Sequence, residues 1–328
     1  MKITIRAEKI TDYARIAEIN ALAFAAYIRE PQSKSFVSEF AMVDGLRHSP
    51  DFDPELSLVA EVAGEVVGHA LFYPFAMLVG GQELPAVSLG PIAVAPTHQK
   101  TGVGGALIDH GHRIAREKGH TFAFLLGHPS YYPRFGYQTN MFGACSLKMK
   151  RADIPAGETQ LEERLVGLED IEFLRAMWRD WFHDVDLSIV PGASILDWIT
   201  HVEHIISTIV AQDGERIGYL RYSKHDPTAV KMFLARDKAA TQLLLQYLHA
   251  KAGDGESDTL NLPLHPNAHA VREYIDLPYA SELTTWDAGM IHILDEENET
   301  IQAYCAGVRR GERPPGCVLY PPSIEVAE

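Results

Sequence analysis

The stretch LGPIAVAPTHQKTGVGGALIDHGHRIAREKG, residues 89–119, decides the fold of the first half of the chain. Residues 87–94 are mostly apolar, which predicts a strand that ends before Pro96. Within residues 106–118 the apolar side chains recur at helical spacing, which predicts a helix. The polar turn QKTGVGG, residues 99–105, therefore lies between a strand and the N-terminus of a helix.

This turn brings glycines to a place that favours anions. The first N–H groups of a helix have no partner within the helix, and the helix dipole is positive there. Because Gly102, Gly104 and Gly105 have no Cβ, a phosphate could approach their main chain closely. A ligand with a diphosphate is the natural candidate. The alternative is that the glycines only allow a tight strand-to-helix turn to pack, and the residues alone leave both interpretations open.

Two familiar phosphate-binding motifs do not fit the turn. A P-loop requires four residues between its glycines and then Gly-Lys-Ser/Thr, and nothing of that form is present. A dinucleotide fingerprint requires a third glycine three positions after the second, where this chain has Leu107. The turn therefore belongs to another class.

Residues 99–104, QKTGVG, match the Gln/Arg-x-x-Gly-x-Gly/Ala pattern of the GNAT superfamily of acyl-CoA-dependent N-acyltransferases. The tripeptide VAP before them resembles that family's strand end, and YYPRFGY, residues 131–137, resembles its later Tyr-x-x-x-Gly-aromatic element. One helix and the apolar strand at 122–126 separate the two motifs, as in the family. The resemblance implies an α/β (α+β) fold with a mixed, mostly antiparallel central sheet flanked by helices.

Local patterns in the first half agree with this fold. They predict a strand at 3–6, helices at 11–24 and 37–48, a hairpin that turns at 63–65, a second turn at 79–83, and a short helix at 130–134. The resulting order is β-α-α-β-β-β-α-β-α-β, which is the order that the resemblance implies.

The second half repeats much of this order without a glycine turn. Helices are predicted at 170–183, 195–202, 238–252 and 267–274, strands at 229–235, 258–264 and within 281–294, and a hairpin turn at 213–215. LARDKAATQLLL, residues 234–245, takes the place of VAPTHQKTGVGGAL, residues 94–107, and puts Asp237 where a phosphate would lie. The second half therefore resembles a degenerate GNAT-like domain, and no acetyl-CoA site is expected there.

Length and composition limit the possible domain organisation and partners of the chain. A chain of 328 residues exceeds what one hydrophobic core usually organises. We predict a GNAT acetyltransferase domain at 1–150, a degenerate GNAT-like domain in tandem at 151–295, and a C-terminal tail at 296–328. The net charge of -15 argues against a nucleic-acid partner. No apolar stretch is long enough to span a bilayer and the N-terminus does not resemble a signal peptide, so we expect a cytoplasmic protein without a membrane partner.

Cysteine and histidine usage predicts no metal cofactor. Cys145, Cys305 and Cys317 are few and scattered, so neither a disulfide framework nor a zinc ribbon is indicated. The spacing of His201 and His204 would put both on one helical face, but neither a His-Glu-x-x-His run nor an obvious third ligand accompanies them.

The resemblance implies acetyl-CoA as the acyl donor and a place for it. In the family the fourth strand splays from the fifth, so that pantetheine pairs with the exposed main chain of the fourth strand. Gly90 and Pro91 at the start of that edge are consistent with a local break in the ladder. The implied donor-binding residues are Ile92, Ala93, Val94, Gln99, Lys100, Thr101, Gly102, Val103, Gly104 and Gly105.

The resemblance also implies a general acid. Tyr132 stands five residues before Tyr137, where the family usually carries the tyrosine that lies against the thioester sulfur. A phenol with a pKa near ~10 stays protonated at neutral pH and can donate to a developing thiolate. The alternative is that Tyr131 and Tyr132 only pack the last helix on the sheet.

The base and the acceptor contacts are predicted from position. His128 follows the fifth strand directly, and histidine is a residue type that often serves as a base, so His128 is the candidate base or substrate ligand, with an exposed loop histidine as the alternative. Tyr27, Glu30 and Tyr73 are expected to contact the acceptor.

These features predict an N-acetyltransferase that transfers an acetyl group from acetyl-CoA to a primary amine by direct attack. The acidic balance suits a cationic acceptor, either a small molecule or a peptide N-terminus. The alternative is a non-catalytic acyl-CoA-binding sensor or scaffold protein. The sequence leaves the oligomeric state open, a homo-oligomer included.

Overall fold

A computed structural model describes residues 1–25, 38–157, 160–253 and 256–324 of the chain. The first half alternates strands and helices in the predicted order. Its elements are β1 (Ile3–Ala7), α1 (Tyr13–Ala25), α2 (Ser38–Arg47), β2 (Ser57–Val62), β3 (Glu65–Val79), β4 (Gln82–Val94), α3 (Val103–Glu117) and β5 (Phe122–Leu126).

The chain after β5 contains a further eight strands and four helices among the described residues. In chain order they are β6 (Cys145–Lys150), β7 (Glu162–Leu165), α4 (Ile171–Phe182), β8 (Ile205–Gln212), β9 (Glu215–Ser223), β10 (Val230–Ala235), α5 (Lys238–Lys251), β11 (Thr259–Leu262), α6 (His269–Tyr274), β12 (Ala280–Leu283), β13 (Gly289–Ile293) and α7 (Glu299–Arg310). None of the described helices is both long enough and apolar enough to cross a membrane.

The first sheet has the strand order β1-β2-β3-β4-β5-β13. Its neighbours are antiparallel except β4 and β5, which run parallel. Helix α3 covers one face through Val103, Leu107 and Ile108, which are buried against β2, β3 and β5. Helices α1 and α2 cover the other face, so the predicted mixed and mostly antiparallel sheet flanked by helices is confirmed.

The second half forms a four-stranded sheet, β10-β9-β8-β7, and a three-stranded sheet, β11-β6-β12. An isolated parallel bridge between Ala229 and Asn261 links the two at β10 and β11. Strands β7 to β11 therefore lie in the same order as β1 to β5 of the first sheet, and β6 separates β11 from β12. Helix α5 packs on β9 and β10 as α3 packs on β3 and β4.

Both halves open with the same hydrogen-bonded entry to their first helix. Arg6 donates from Nη1 to Asp12 Oδ2 at 2.6 Å, and Arg164 donates from Nη1 to Asp170 Oδ2 at 2.7 Å. In each case the main-chain N–H three residues before the aspartate donates to the same Oδ2 at 2.8 Å. This shared geometry supports the likeness of the two halves independently of the sheet order.

The central hairpins of the two halves also match. Ala63 and Gly64 turn the first hairpin with φ of 52° and 85°, and Asp213 and Gly214 turn the second with φ of 52° and 80°. Two successive positive φ values are typical of the tight turn that suits twisted hairpins. In both hairpins the strand register shifts a few residues before the turn.

The sheets exchange one strand each, which the predicted bounds did not anticipate. Strand β6 lies within residues 1–150 but pairs with β11 and β12. Strand β13 lies within residues 151–295 but pairs with β5 through the register Ile291 to Phe124. The bounds remain a prediction for the sequence, whereas the hydrogen-bonded sheets do not divide at residue 150.

One local prediction is wrong. Instead of a helix at 195–202, the chain forms only a 3-10 turn, Ile195–Asp197, because the Trp198 carbonyl accepts a hydrogen bond from Tyr219 Oη at 2.5 Å and its ring is buried. His201 and His204 therefore do not share a helical face. The predicted tail at 296–328 contains α7, which buries Ile301 and Tyr304 in the core.

Candidate active site

Strands β4 and β5 separate partway along their length. They pair only from Ala86 to Ser88, and past Ser88 no strand in the described part of the chain pairs with β4 on that side. The ladder between β3 and β4 shifts register at Gly90 and Pro91, so the predicted local break is confirmed. The main chain at residues 89–94 therefore faces an opening in the sheet.

A cavity of about 1060 Å³ fills this opening. Its walls come from β4, the turn before α3, the loop after β5, and the ends of α1 and α2. The sequence-predicted residues that line it are Ile92, Ala93, Val94, Gln99, Lys100, Gly102, Gly104, Gly105, His128 and Tyr132. The structure thus brings the two sequence motifs to one cleft.

The N-terminus of α3 opens into this cavity without a side-chain cap. Its N-cap residue is Gly102, with φ of 93°, which has no side chain that could accept a hydrogen bond from the first turn. An added Cβ on Gly102 would meet no atom of the described residues within 4 Å, so these residues leave the space in front of the helix open. Uncapped N–H groups at a helix start suit a phosphate. This geometry fits the diphosphate interpretation of the turn.

The other two glycines also serve packing. A Cβ on Gly104 would lie 2.7 Å from Tyr131 Oη, and a Cβ on Gly105 would lie 3.2 Å from the Phe135 ring. Packing therefore accounts for two of the three glycines, and phosphate binding by the turn stays a prediction. Gly102 keeps the helix start open, whereas Gly104 and Gly105 let the rings after β5 dock on α3.

Two donor-binding predictions fall on residues whose side chains face away from the cavity. Val103 is buried in the core beside Gly68. The Thr101 hydroxyl donates to the His98 carbonyl at 2.6 Å and so fastens the turn. Only their main-chain groups remain available to a ligand.

Tyr131 and Tyr132 both line the cleft, so the sequence ambiguity between them persists in space. The Tyr132 ring packs over Gly127, where a Cβ would lie 2.3 Å from it. The two rings meet edge to face with centroids 5.1 Å apart. Tyr137 is buried behind them, where burial raises its pKa well above the usual value, and the general-acid role of Tyr132 stays a prediction.

Histidine and carboxylate side chains reach the acceptor side of the cleft. His128 is exposed and lines the cavity, as does Glu39 on α2, which the sequence interpretation missed. Glu39 precedes Met42, another lining residue, by three positions, so helical spacing could have placed both on one face. Ser88, the polar residue of the β4 edge, interacts with the partly buried Tyr320 of the C-terminal segment.

The predicted acceptor contacts are less well placed. Tyr27 and Glu30 lie outside the described residues. Tyr73 lines a separate cavity of about 500 Å³ together with Asp51 and Asp197, and its hydroxyl donates to Ser49 Oγ at 2.5 Å. Burial, the main cause, raises the pKa of Tyr73 to about 12. Contact of Tyr73 with an acceptor in the larger cleft is therefore not supported by its position.

The matching helix start in the second half is closed. The Asp237 side chain caps α5 and accepts a hydrogen bond from the Ala240 main-chain N–H at 2.9 Å. This hydrogen bond is the largest of the causes that lower the pKa of Asp237. A carboxylate occupies the place that a phosphate would need. Among the described residues, no group of three His, Cys, Asp or Glu side chains could hold a metal ion.

Comparison with known proteins places the first half in a family. Residues 4–139 match the family model described as Acetyltransferase (GNAT) domain. The uncharacterized N-acetyltransferase YjhQ of Escherichia coli K12 is 39% identical over 117 residues, which are 35% of this chain and 64% of the relative. The matching region therefore spans less than two thirds of that relative.

Two solved structures extend the likeness to both halves. A GCN5-related N-acetyltransferase from Anabaena variabilis aligns with a TM-score of 0.63 at 14% identity, over 90% of this chain and 73% of the other. One from Kribbella flavida aligns with a TM-score of 0.63 at 20% identity, over 90% of this chain and 71% of the other. At such identities the likeness concerns the fold alone.

Proposed function

We propose that this chain is an acetyltransferase of the GNAT family that residues 4–139 match, and that it transfers an acetyl group from acetyl-CoA to a primary amine. One observation carries the proposal: the unpaired edge of β4 and the uncapped start of α3 line the same cavity. An extended thiol arm with a diphosphate at its far end matches both features together. The second half, with its closed helix start, is proposed to be a degenerate domain that supports the cleft.

The donor would be held mainly by main chain. The exposed groups of Ile92 and Val94 on β4 would hydrogen-bond to the pantetheine arm as a neighbouring strand does. The N–H groups of the turn at 99–105 would hold the pyrophosphate, helped by the positive end of the α3 dipole. Bound acetyl-CoA supplies a thioester carbonyl that an amine can attack.

Tyr132 is proposed as the general acid of the reaction. Its ring lies on Gly127, directly after β5, at the same end of the cleft as the unpaired β4 edge. From there its hydroxyl would donate a proton to the departing thiolate sulfur. Tyr131, whose hydroxyl points toward Gly104 instead, is the neighbour against which the role must be tested.

The acceptor amine must lose a proton before or during attack. His128 lines the cleft and is exposed to solvent, so it would accept that proton and pass it to water. Glu39, across the cleft on α2, is the second candidate and would also attract a cationic amine. The net charge of -15 favours a cationic acceptor over an anionic one.

A CoA-release assay with a panel of primary amines tests this function. The panel should contain polyamines, amino sugars, amino acids and short peptides, each with acetyl-CoA, and mass spectrometry should identify the acetylated amine. We expect CoA release with at least one amine. Binding of CoA without turnover of any amine would favour the non-catalytic sensor instead. Absence of CoA binding would contradict both functions.

A further inference from the structure

Arg134 carries a charge in the cleft that the function proposed above does not use. It lies in the 3-10 turn Tyr132–Phe135 and lines the same cavity as the glycine turn. Within the described residues no carboxylate forms an ion pair with it, although the chain has an excess of acidic groups. A guanidinium that faces a cleft without an acidic partner is available to an anionic ligand.

Aromatic rings fix the position of this guanidinium. Its carbon Cζ lies 3.9 Å from the centroid of the Tyr131 ring and 5.0 Å from that of the Phe135 ring. Stacking on ring faces is favourable for arginine and leaves the edge of its planar N–H groups free. The side chain is therefore held in place before any ligand arrives.

The same two rings dock on the start of α3. Tyr131 Oη would lie 2.7 Å from a Cβ on Gly104, and the Phe135 ring 3.2 Å from one on Gly105. Any larger residue at these two positions would displace the rings and the arginine stacked on them. The absence of side chains at Gly104 and Gly105 thus lets the rings of Tyr131 and Phe135 pack on the start of α3. This packing brings the Arg134 guanidinium beside the uncapped N-terminus of that helix.

We propose that Arg134 binds a phosphate of the acyl-CoA nucleotide and strengthens donor binding. This inference rests on the proposed function. Arginine matches phosphate geometry with two parallel N–H donors, and a preset guanidinium loses less conformational freedom when it binds. The phosphate concerned is either the pyrophosphate or the ribose 3′-phosphate, which share the same chemistry. Arg134 is a donor-binding residue in this account and takes no part in the chemical step.

Calorimetry with three probes and three variants tests the assignment. The probes are CoA, 3′-dephospho-CoA and pantetheine, which carry all, two and none of the three phosphates. The variants are Arg134→Gln, Arg134→Lys and the control Arg113→Gln. Arg113 is an exposed arginine of α3 that pairs with Glu117 and does not line the cavity, so its loss changes net charge equally.

We expect Arg134→Gln to weaken CoA binding about tenfold, the scale of one charge-assisted hydrogen bond at an accessible site. Arg134→Lys should recover part of this loss because the charge remains but the stacked plane does not. Arg113→Gln should bind CoA like the wild type. The weak binding of pantetheine should be the same in all variants.

The probes separate the two phosphate sources. A loss with CoA that disappears with 3′-dephospho-CoA assigns Arg134 to the ribose phosphate, and an equal loss with both assigns it to the pyrophosphate. If Arg134→Gln binds CoA as tightly as the wild type, or loses affinity for pantetheine as much as for CoA, the role of Arg134 is overturned while the proposed function stands. If the wild type binds no CoA, the proposed function fails as well, so the two failures are distinguishable.

Discussion

The two halves of the chain share a scaffold and differ at one helix start. Gly68 and Gly218 hold equivalent places in the central hairpins, where a Cβ would lie 2.9 Å from Val103 and 2.5 Å from Leu244 of the covering helices. At the N-cap of those helices the first half has Gly102 and the second has Asp237. Equal packing with an open start in one half and a capped start in the other shows that the fold alone does not create the site.

This difference separates stability from function. A side-chain cap satisfies orphan N–H groups and typically stabilises a helix by ~1 kcal/mol. Helix α3 forgoes that cap and keeps its N–H groups for a ligand, whereas α5 uses Asp237 for stability. In the proposed function the uncapped helix start binds the donor, whereas the capped one only stabilises its own helix.

Different polar contacts stabilise the central hairpins of the two halves. Buried Glu8 and Arg47 form two hydrogen bonds of 2.8 Å beside His69 in the first half. In the second half, Tyr219 occupies the place of His69 and donates to the Trp198 carbonyl. The first half therefore depends on ionised groups and should be the more sensitive to acid.

The largest expected effect concerns division of the chain. A chain that ends at residue 150 lacks β13, the neighbour of β5, and leaves β6 without β11 and β12. We expect this truncated chain not to form a stable fold. The first sheet has lost β13, and β6 has lost both strands with which it pairs. Circular dichroism and CoA titration of residues 1–150 check it, and a cooperative thermal transition together with CoA binding would show that the strand exchange is dispensable.

Removal of the Tyr132 hydroxyl should lower the turnover of the proposed reaction. Tyr132→Phe should lower the rate of CoA release by ~10²- to 10⁴-fold at nearly unchanged acetyl-CoA affinity, because only the transition state carries charge on the sulfur. Steady-state kinetics with the best amine of the panel measure this. The matched control, Tyr131→Phe, should keep most of the activity. The reverse ranking of the two variants would move the role to Tyr131.

One substitution can give the N-terminus of α3 the acidic N-cap that α5 has. Gly102→Asp gives α3 a carboxylate like that of Asp237 in α5, and repulsion of the diphosphate should weaken CoA binding by ~100-fold or more. Gly102→Ala is the control, because it has the same unfavourable positive φ without the charge. Calorimetry should find the alanine variant close to the wild type. Equal losses in both variants would assign the effect to backbone strain instead of charge.

Acid should weaken the ionised core of the first half. Burial alone would raise the pKa of Glu8, but hydrogen bonds from Arg47 and His69 outweigh it and lower that pKa to about 2. Since the unfolded carboxyl titrates near 4.5, the unfolded state binds more protons between these values. The stabilisation from Glu8, about 3 kcal/mol, is complete above pH 4.5 and is lost as the pH falls to 2.

Urea unfolding followed by circular dichroism over this pH range checks the assignment. Glu8→Gln should lower the free energy of unfolding by about 3 kcal/mol at pH 7, since it leaves the buried Arg47 with only the more distant carboxylate of Asp44, 3.8 Å from Nη1. It should also flatten the pH dependence between 4.5 and 2. A variant with the stability and the pH profile of the wild type would contradict a role for this ion pair.

The smallest expected effect comes from the capped helix. Asp237→Ala removes the side chain that accepts the Ala240 N–H and should destabilise the protein by ~1 kcal/mol. CoA affinity should not change, because β10 and α5 do not line the cleft. Denaturant unfolding and CoA titration measure the two quantities. A change in CoA affinity would show that the second half contributes to donor binding.

Much of the fold could be predicted because it is encoded locally. Strand β5 at 122–126, the turn at 63–65 and helix α5 follow from periodicity and turn residues over short windows. The partners of β6 and β13 could not be predicted, since alternation shows that a segment is a strand but not which of two similar sheets it joins. The 195–202 segment has helical spacing, but the hydrogen bond from Tyr219 to Trp198 overrides it.

Some features of the candidate site could likewise be predicted from the sequence, and others could not. The glycine turn and the β4 edge could be predicted because a phosphate and an extended thiol arm need main chain, which leaves a pattern in sequence. Glu39 and Arg134 reach the cleft from α2 and from a short turn, and only tertiary packing shows that they line it. Tyr73 was predicted as an acceptor contact, yet its side chain lines the smaller cavity and its hydroxyl donates to Ser49.

The central claim is that only the first half binds the acyl donor, at the open start of α3. Titration calorimetry of the full chain with CoA tests it most directly. The account predicts one site per chain, retained in Asp237→Ala and lost in Gly102→Asp. Two sites per chain, binding that survives Gly102→Asp, or no detectable heat at millimolar CoA would contradict it.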